Sequence, residues 1–138
     1  LRADLKKRIE TLNLSKRVHL LGYRTDVPAV LKVLDVFAMS SVEEGLGTSV
    51  LDAMASGVPV AATDAGGIPE MVRNGMTGLL VPARDSVRLA EAIVSLLTDR
   101  ALAARLSVNA AEMVSKEFSA DAMVEGSIAV YERLLGGS

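Results

Sequence analysis

Apolar residues recur every three or four positions near the start of the chain, and short unbroken apolar runs follow them. The first spacing predicts a helix over residues 1–14, with an apolar face formed by Leu1, Leu5, Ile9 and Leu12. The later runs are bounded by turn residues and do not alternate with polar positions, so we predict four buried strands, at 18–21, 36–39, 58–62 and 79–81. Helices are predicted between them, at 27–34, 48–56 and 69–73.

The last third of the chain shows helical spacing alone. Asp85 or Ser86 is expected to cap the first helix of this region and Ser119 the last, because short polar side chains accept hydrogen bonds from the free amides of a helix start. Gly57 follows the predicted 48–56 helix, where a left-handed residue commonly ends a helix. The 136–138 end is expected to fray.

The strands and helices together predict one α/β domain over residues 1–138, with a Rossmann-like parallel sheet flanked by helices and a helical C-terminus. Strands that are apolar throughout indicate a parallel sheet covered on both faces. Ligands of such sheets bind at the carboxyl ends of the strands. Chemistry is therefore expected in the loops after the predicted strands, at 22–26, 40–48, 63–69 and 82–86.

Composition narrows the classes of protein that remain. The net charge is −2 and no run of Lys and Arg occurs, so a nucleic-acid partner is not expected. The chain has no Cys and one His, which excludes thiolate and two-His metal sites. No apolar run is as long as the roughly 18 residues that a membrane span needs. We expect a cytoplasmic protein, peripheral at the inner face of the membrane in its intact form.

The segment that follows the second predicted strand carries the clearest chemistry. Gly45 and Gly47 lack Cβ atoms, so the backbone there turns sharply and approaches a ligand closely. A helix begins directly after them, and its first amides and its dipole favour an anion such as pyrophosphate. Glu44 precedes the glycines, where its carboxylate suits sugar hydroxyls. Asp52 lies about one turn into the helix, within reach of a ribose.

These features alone leave other functions open. A Gly-x-Gly turn between a strand and a helix also resembles the fingerprint of a dinucleotide-binding oxidoreductase. Against that class, Val50 occupies the position of the third glycine, and two glutamates separate the strand from the turn. A non-enzymatic Rossmann-like module for nucleotide binding or assembly is the main alternative.

The stretch from Ser41 to Val72 resembles the signature of family 4 retaining glycosyltransferases, which have the GT-B fold. The resemblance rests on the Glu-Gly-x-Gly run at 44–47, the Ala-Met-Ala-x-Gly-x-Pro-Val run at 53–60 and the Gly-Gly-x-Pro-Glu motif at 66–70. The flanking runs at 17–22, 34–41 and 75–82 are similar to the family's neighbouring strands. The resemblance implies that the chain is the C-terminal, nucleotide-sugar-binding half of such an enzyme.

The resemblance also implies roles for individual residues. Glu44 would be the catalytic residue that holds hydroxyls of the donor sugar near the reacting carbon. Backbone amides would face the sugar and the distal phosphate at Gly45, Leu46, Gly47 and Thr48. Asp52 stands where the family has a second Glu that contacts the ribose, and its shorter side chain is a departure from the pattern. Tyr23 and Arg24 lie where the nucleobase usually packs.

An enzyme of this kind moves a hexosyl group from a nucleoside diphosphate sugar to an acceptor hydroxyl with retained configuration. No cofactor or metal is implied, and the chain has no Asp-x-Asp motif. The family pattern also has an earlier strand, an Arg and a Lys that grip the diphosphate, and an N-terminal acceptor domain. All of these would precede Leu1, so the chain alone is expected to be an inactive fragment.

The last helix is the remaining feature with an expected partner. In the family this helix crosses back toward the other domain. Its apolar stripe is formed by Val124, Ile128, Tyr131 and Leu135. We expect the stripe to be exposed in this chain and to favour a homodimer through the C-terminal helix.

Overall fold

The computed structural model describes residues 1–136 as ten elements in chain order. They are α1 (Arg2–Thr11), α2 (Val27–Leu31), β1 (Phe37–Met39), α3 (Thr48–Ala55), β2 (Val60–Asp64), α4 (Ile68–Met71), β3 (Leu79–Pro82), α5 (Ser86–Thr98), α6 (Arg100–Glu117) and α7 (Ala120–Leu135). Part of the end predicted to fray, residues 137 and 138, lies outside the described residues.

The three strands form a parallel sheet in the order β1-β2-β3. Met39 pairs with Ala62 and Ala62 with Leu80, so the carboxyl ends of all three strands meet at one edge. Helices lie between consecutive strands, as parallel connections require. The predicted fold class, a parallel sheet flanked by helices, is confirmed.

Apolar packing covers the two faces of the sheet with different helices. One core joins β2 to α3 and α4 through side chains that include Val50, Met54, Val60, Ala62, Ile68 and Met71. The other core joins the sheet to α5 through side chains that include Ala61, Val81, Ala92 and Leu96. Helix α6 enters both cores, with Ala103 and Leu106 in the second and Ala110 and Met113 in the first.

Side-chain caps start the C-terminal helices as the sequence predicts. The Asp85 carboxylate accepts a hydrogen bond from the Arg88 amide at 2.9 Å, so Asp85, and not Ser86, caps α5. The Ser119 hydroxyl accepts one from the Ala122 amide at 3.1 Å at the start of α7. Gly57 has φ +72°, which confirms the left-handed residue expected after α3.

The strand predicted at 18–21 is wrong. Within residues 1–136 the sheet has three strands, and this run is not among them. Val18 and Leu21 are 40% and 60% exposed, although both are apolar. An extended run forms a strand only when its backbone groups pair with a neighbour. Here β1 ends the sheet on that side, and the Arg2 guanidinium instead donates to the Leu20 carbonyl at 3.3 Å.

The C-terminal helix α7 is exposed along its length. Among its described residues none is buried, and its stripe is exposed as predicted at Val124, Ile128, Tyr131 and Leu135. A search of the described residues finds no helix with the length and apolar character of a membrane span.

Met54 and Met76 allow the packing to be tested with one substitution at two sites. Met54 is fully buried, whereas Met76 is 58% exposed. We expect Met54→Ala to lower the free energy of unfolding by about 2 to 5 kcal/mol, because it removes buried methylenes and leaves a cavity. Met76→Ala should change it by less than about 0.5 kcal/mol. Urea unfolding followed by circular dichroism measures both, and equal losses would contradict the assigned core.

Candidate functional site

Two loops at the carboxyl edge of the sheet form the candidate site. Residues 40–47 leave β1 and lead into α3, and residues 65–67 leave β2 and lead into α4. Because β1 and β2 are parallel neighbours, both loops emerge at the same edge. The first loop carries the predicted Glu44, Gly45 and Gly47.

The two loops touch through their backbones. A Cβ atom built on Gly66 would lie 1.7 Å from the carbonyl oxygen of Glu44, so no larger residue fits there without displacement of a loop. A Cβ atom on Gly67 would lie 2.9 Å from the carbonyl oxygen of Gly45. Gly66 also has φ +54°, a left-handed conformation that side chains disfavour. The glycine pair therefore allows the backbone of Glu44 and Gly45 to pack directly on the loop that follows β2.

Gly47 fixes the start of α3. It is buried, has φ +52° and occupies the N-cap position of the helix. A Cβ atom at Gly47 would lie 2.8 Å from the Met71 Cε atom and 3.5 Å from the Ile68 Cγ1 atom, which belong to α4. The first turn of α3 is thus held directly against α4.

The Glu44 carboxylate turns back onto its own loop. Its Oε2 atom accepts a hydrogen bond from the Ser41 hydroxyl at 2.9 Å, and its Oε1 atom accepts one from the Gly47 amide at 3.3 Å. The side chain is half-buried. A negative charge at the start of a helix is stabilised by the helix dipole. The Gly47 amide, which was predicted to face a ligand, is engaged with Glu44 in this structure.

Thr63 and Ser41 are supports that the sequence analysis missed. Thr63 is 3% exposed at the end of β2, and its hydroxyl lies 2.6 Å from the Ser41 carbonyl oxygen and 3.3 Å from that of Met39. The hydroxyl therefore donates mainly to the Ser41 carbonyl, two residues after β1, where the ladder of the sheet ends. A hydroxyl residue one position after an apolar run was the only signal in the sequence.

The other predicted residues of the loop and helix lie at the surface. Leu46 is 79% exposed, and Gly45, Thr48 and Asp52 are also exposed. Thr48 is the first residue of α3, and Asp52 lies in its second turn. These positions leave residues 45, 46 and 48 and the Asp52 carboxylate accessible to a ligand, whereas Gly47 is buried and its amide is engaged.

Tyr23 and Arg24 lie in the segment before α2, and neither residue is hydrogen-bonded to Glu44 in the described structure. Tyr23 is 94% exposed. The Arg24 guanidinium pairs with Asp26, with Nε 2.7 Å from Oδ1. The hydrogen bond from Arg24 holds the pKa of the Asp26 carboxyl below its ordinary value, and the same contact raises the pKa of Arg24. Arg24 is thereby directed toward a residue of its own segment.

A small cleft crosses the same edge of the sheet on the side of α5. Its volume is about 140 Å³, and it is lined by Ser40, Val42, Thr63, Arg84, Asp85, Ser86 and Leu89. Arg84 has φ +66°, a left-handed backbone that is uncommon for a residue with a side chain. The cleft brings Arg84 to the edge of the sheet that carries the Glu44 loop, within the 82–86 segment where the sequence predicts ligand chemistry.

A larger open depression, of about 520 Å³, lies between α1 and the 18–20 segment, and no residue of the two loops lines it. Helix α1 has no buried residue, so this depression reflects loose packing of α1 rather than a shaped pocket. The glycine-supported loops remain the better candidate, because their backbone geometry is constrained by contact.

Comparison with known proteins gives a consistent set of matches. The sequence profile of the family described as "Glycosyl transferases group 1" matches residues 1–99. The lipopolysaccharide core biosynthesis mannosyltransferase LpsB of Rhizobium meliloti is 36% identical over 135 residues, which cover 96% of this chain and 38% of that protein. The N-acetyl-alpha-D-glucosaminyl L-malate synthase of Bacillus anthracis is 32% identical over 92% of this chain and 33% of its own length.

A solved structure agrees with these sequences. Anabaena Alr3699/HepE, in complex with UDP-glucose, superimposes with a TM-score of 0.82 at 34% identity, covering 85% of this chain and 32% of that one. The described domain is therefore similar to one part of a longer GT-B protein. The chain spans about 38% and 33% of the length of the two curated relatives it matches.

The contact between the two loops predicts a strong effect of a methyl group at Gly66. Gly57 is the matched control, because it has φ +72° but nothing within 4 Å of an added Cβ atom. Gly57→Ala should cost about 1 to 2 kcal/mol of unfolding free energy from backbone strain alone. Gly66→Ala should cost about 3 to 5 kcal/mol, because strain and a clash with the Glu44 carbonyl add. Urea unfolding distinguishes them, and equal losses would show that the loops do not touch.

Proposed function

Because the chain belongs to the group 1 glycosyltransferases, we propose that it is the nucleotide-sugar-binding domain of an enzyme that transfers a sugar from a nucleoside diphosphate to an acceptor hydroxyl. The observation that carries this proposal is the position of Glu44 and the start of α3 at the carboxyl edge of a parallel sheet. The similarity to a protein whose structure contains UDP-glucose supports it.

The proposed donor site uses the backbone of the 45–48 turn for the diphosphate. The Gly47 amide is engaged with Glu44, and the Val50 amide donates to the Gly47 carbonyl. The amides of Thr48 and Ser49, the first two residues of α3, have no acceptor within the helix and suit the phosphate oxygens. Negative charge builds on these oxygens as the sugar departs, and fixed donors aimed at that charge lower the barrier. Glu44, beside the same amides, would hold hydroxyls of the sugar.

The finer steps follow the family 4 resemblance. Transfer would retain the anomeric configuration and would rely on helix amides and cationic side chains, without a metal ion, to neutralise the leaving diphosphate. An Arg, a Lys and an acceptor domain from other parts of the enzyme would complete the site. The chain covers about a third of its relatives, so we propose that it binds the donor but does not transfer sugar alone.

Asp52 and the 23–24 pair would serve the nucleoside. Asp52 is exposed in the second turn of α3, where its carboxylate can accept hydrogen bonds from ribose hydroxyls. It is one methylene shorter than the glutamate of the family pattern, so the ribose contact would be longer or bridged by water. Tyr23 would stack on the base, and its exposure leaves the ring available for this.

Glu44 and its neighbour Glu43 allow the donor site to be tested in this chain. Titration with UDP-glucose, UDP, GDP-mannose, GDP and NAD, followed by amide shifts, should move residues 45–48. Glu44→Gln should weaken sugar-nucleotide binding about tenfold or more, because it removes a charged acceptor from the sugar. Glu43→Gln, an exposed neighbour, should leave it unchanged.

Two results would overturn the donor site. Binding of NAD without binding of either nucleotide sugar would favour the oxidoreductase alternative. No shifts at millimolar concentrations of all five compounds would favour a non-enzymatic assembly module.

We also propose that the exposed face of α7 supports a homodimer. Ile128 lies near the middle of the stripe and is 51% exposed. Ile128→Glu should convert a concentration-dependent dimer into a monomer in sedimentation equilibrium, because a carboxylate would be desolvated in the interface. Val108→Glu is the control, since Val108 is 57% exposed on α6. A parent chain that stays monomeric at all concentrations would refute the dimer.

A further inference from the structure

A chain of hydrogen bonds connects the buried end of β2 to the carboxylate of Glu44. The Thr63 hydroxyl lies 2.6 Å from the Ser41 carbonyl oxygen. The Ser41 hydroxyl donates to Glu44 Oε2 at 2.9 Å, and the Gly47 amide donates to Glu44 Oε1 at 3.3 Å. The glutamate carboxylate is thus held at both oxygens, by one side chain and by one backbone amide.

The two contacts of Glu44 differ in what they fix. The Gly47 amide is set by the buried N-cap of α3, and its bond to Oε1 is the longer of the two. The Ser41 hydroxyl determines the rotation of the carboxylate plane, because it binds the second oxygen from the opposite end of the loop. A carboxylate held at only one oxygen rotates more freely about its terminal bond.

Thr63 determines where the Ser41 hydroxyl stands. Thr63 is buried in the sheet at 3% exposure, and its hydroxyl binds the backbone carbonyl of Ser41 rather than the side chain. The backbone of Ser41 is therefore tied to β2, and the serine side chain is left to bind Glu44. Thr63 and Ser41 therefore connect the sheet to the Glu44 carboxylate by two successive hydrogen bonds.

We propose that Ser41 is a positioning residue, which holds the Glu44 carboxylate in the orientation from which it binds the donor sugar. The proposal rests on the proposed function, in which Glu44 contacts the sugar. It assigns Ser41 no contact with the ligand. Loss of the Ser41 hydroxyl should therefore affect recognition of the sugar and spare recognition of the nucleoside diphosphate.

The test compares four forms of the chain: the parent, Ser41→Ala, Ser41→Thr and Ser115→Ala. Thr at 41 restores a hydroxyl, and Ser115 is an exposed serine on α6, outside the two loops of the site, that serves as the matched control. The first measurement, without ligand, is the amide hydrogen exchange and nitrogen shift of Gly47. Ser41→Ala should alter both, because Glu44 then holds the Gly47 amide less firmly. Ser41→Thr and Ser115→Ala should match the parent.

The second measurement is the ratio of affinities for UDP-glucose and UDP, with GDP-mannose and GDP as the alternative pair. Ser41→Ala should lower this ratio about five- to tenfold, which corresponds to the net contribution of one ordinary hydrogen bond, because the serine acts on the sugar only through Glu44. Affinity for the nucleotide without sugar should stay within about twofold, as in the Ser115→Ala control. Ser41→Thr should restore the parent ratio.

The two measurements separate failure of this proposal from failure of the proposed function. If Ser41→Ala leaves the Gly47 amide and the affinity ratio at parent values, Ser41 does not position Glu44. If UDP and UDP-glucose weaken equally in Ser41→Ala, the serine acts on the whole loop, which also overturns the proposal. If the parent binds neither nucleotide pair, the proposed function fails, and the ligand-free exchange of Gly47 alone decides the role of Ser41.

Discussion

The close approach of two backbone segments determines the geometry of the whole candidate site. At Gly66 there is room for a hydrogen atom and not for a methyl group, since a Cβ atom would lie 1.7 Å from the Glu44 carbonyl oxygen. Loops usually vary in position, but these two are in direct backbone contact, and a residue larger than glycine at position 66 would prevent that contact. The loop after β1 therefore rests on the loop after β2, and the sheet defines the position of both.

The contact between the loops also fixes where the negative charge of Glu44 lies relative to α3. Glu44 sits where the dipole of α3 is positive, and its carboxylate occupies the Gly47 amide. A diphosphate would seek the same end of the helix. The carboxylate and the anion can share it only if they bind different amides. The proposed function therefore requires that Glu44 and the phosphate bind different amides at the start of α3.

The predictable part of the structure is the part whose determinants are local. Apolar runs and glycine turns located β1, α3 and the loop between them. β2 starts two residues later than predicted, because the Val58 amide donates to the Ala53 carbonyl at 3.0 Å and closes the turn that follows α3. The 18–21 run failed as a strand because hydropathy does not reveal whether a pairing partner exists. Likewise, the contact of Gly66 joins residues 22 positions apart in sequence, so no local pattern encodes it.

Helix α6 has a consequence for how the domain loses its structure. Its first half packs with α5 and its second half with the layer of α3 and α4. The same helix therefore contributes side chains to both cores. Loss of packing in one core therefore removes contacts of α6, which also weakens the other core. The two layers should therefore unfold in a single cooperative transition. The loops of the proposed donor site, which lead into α3 and α4, should lose their structure in the same transition.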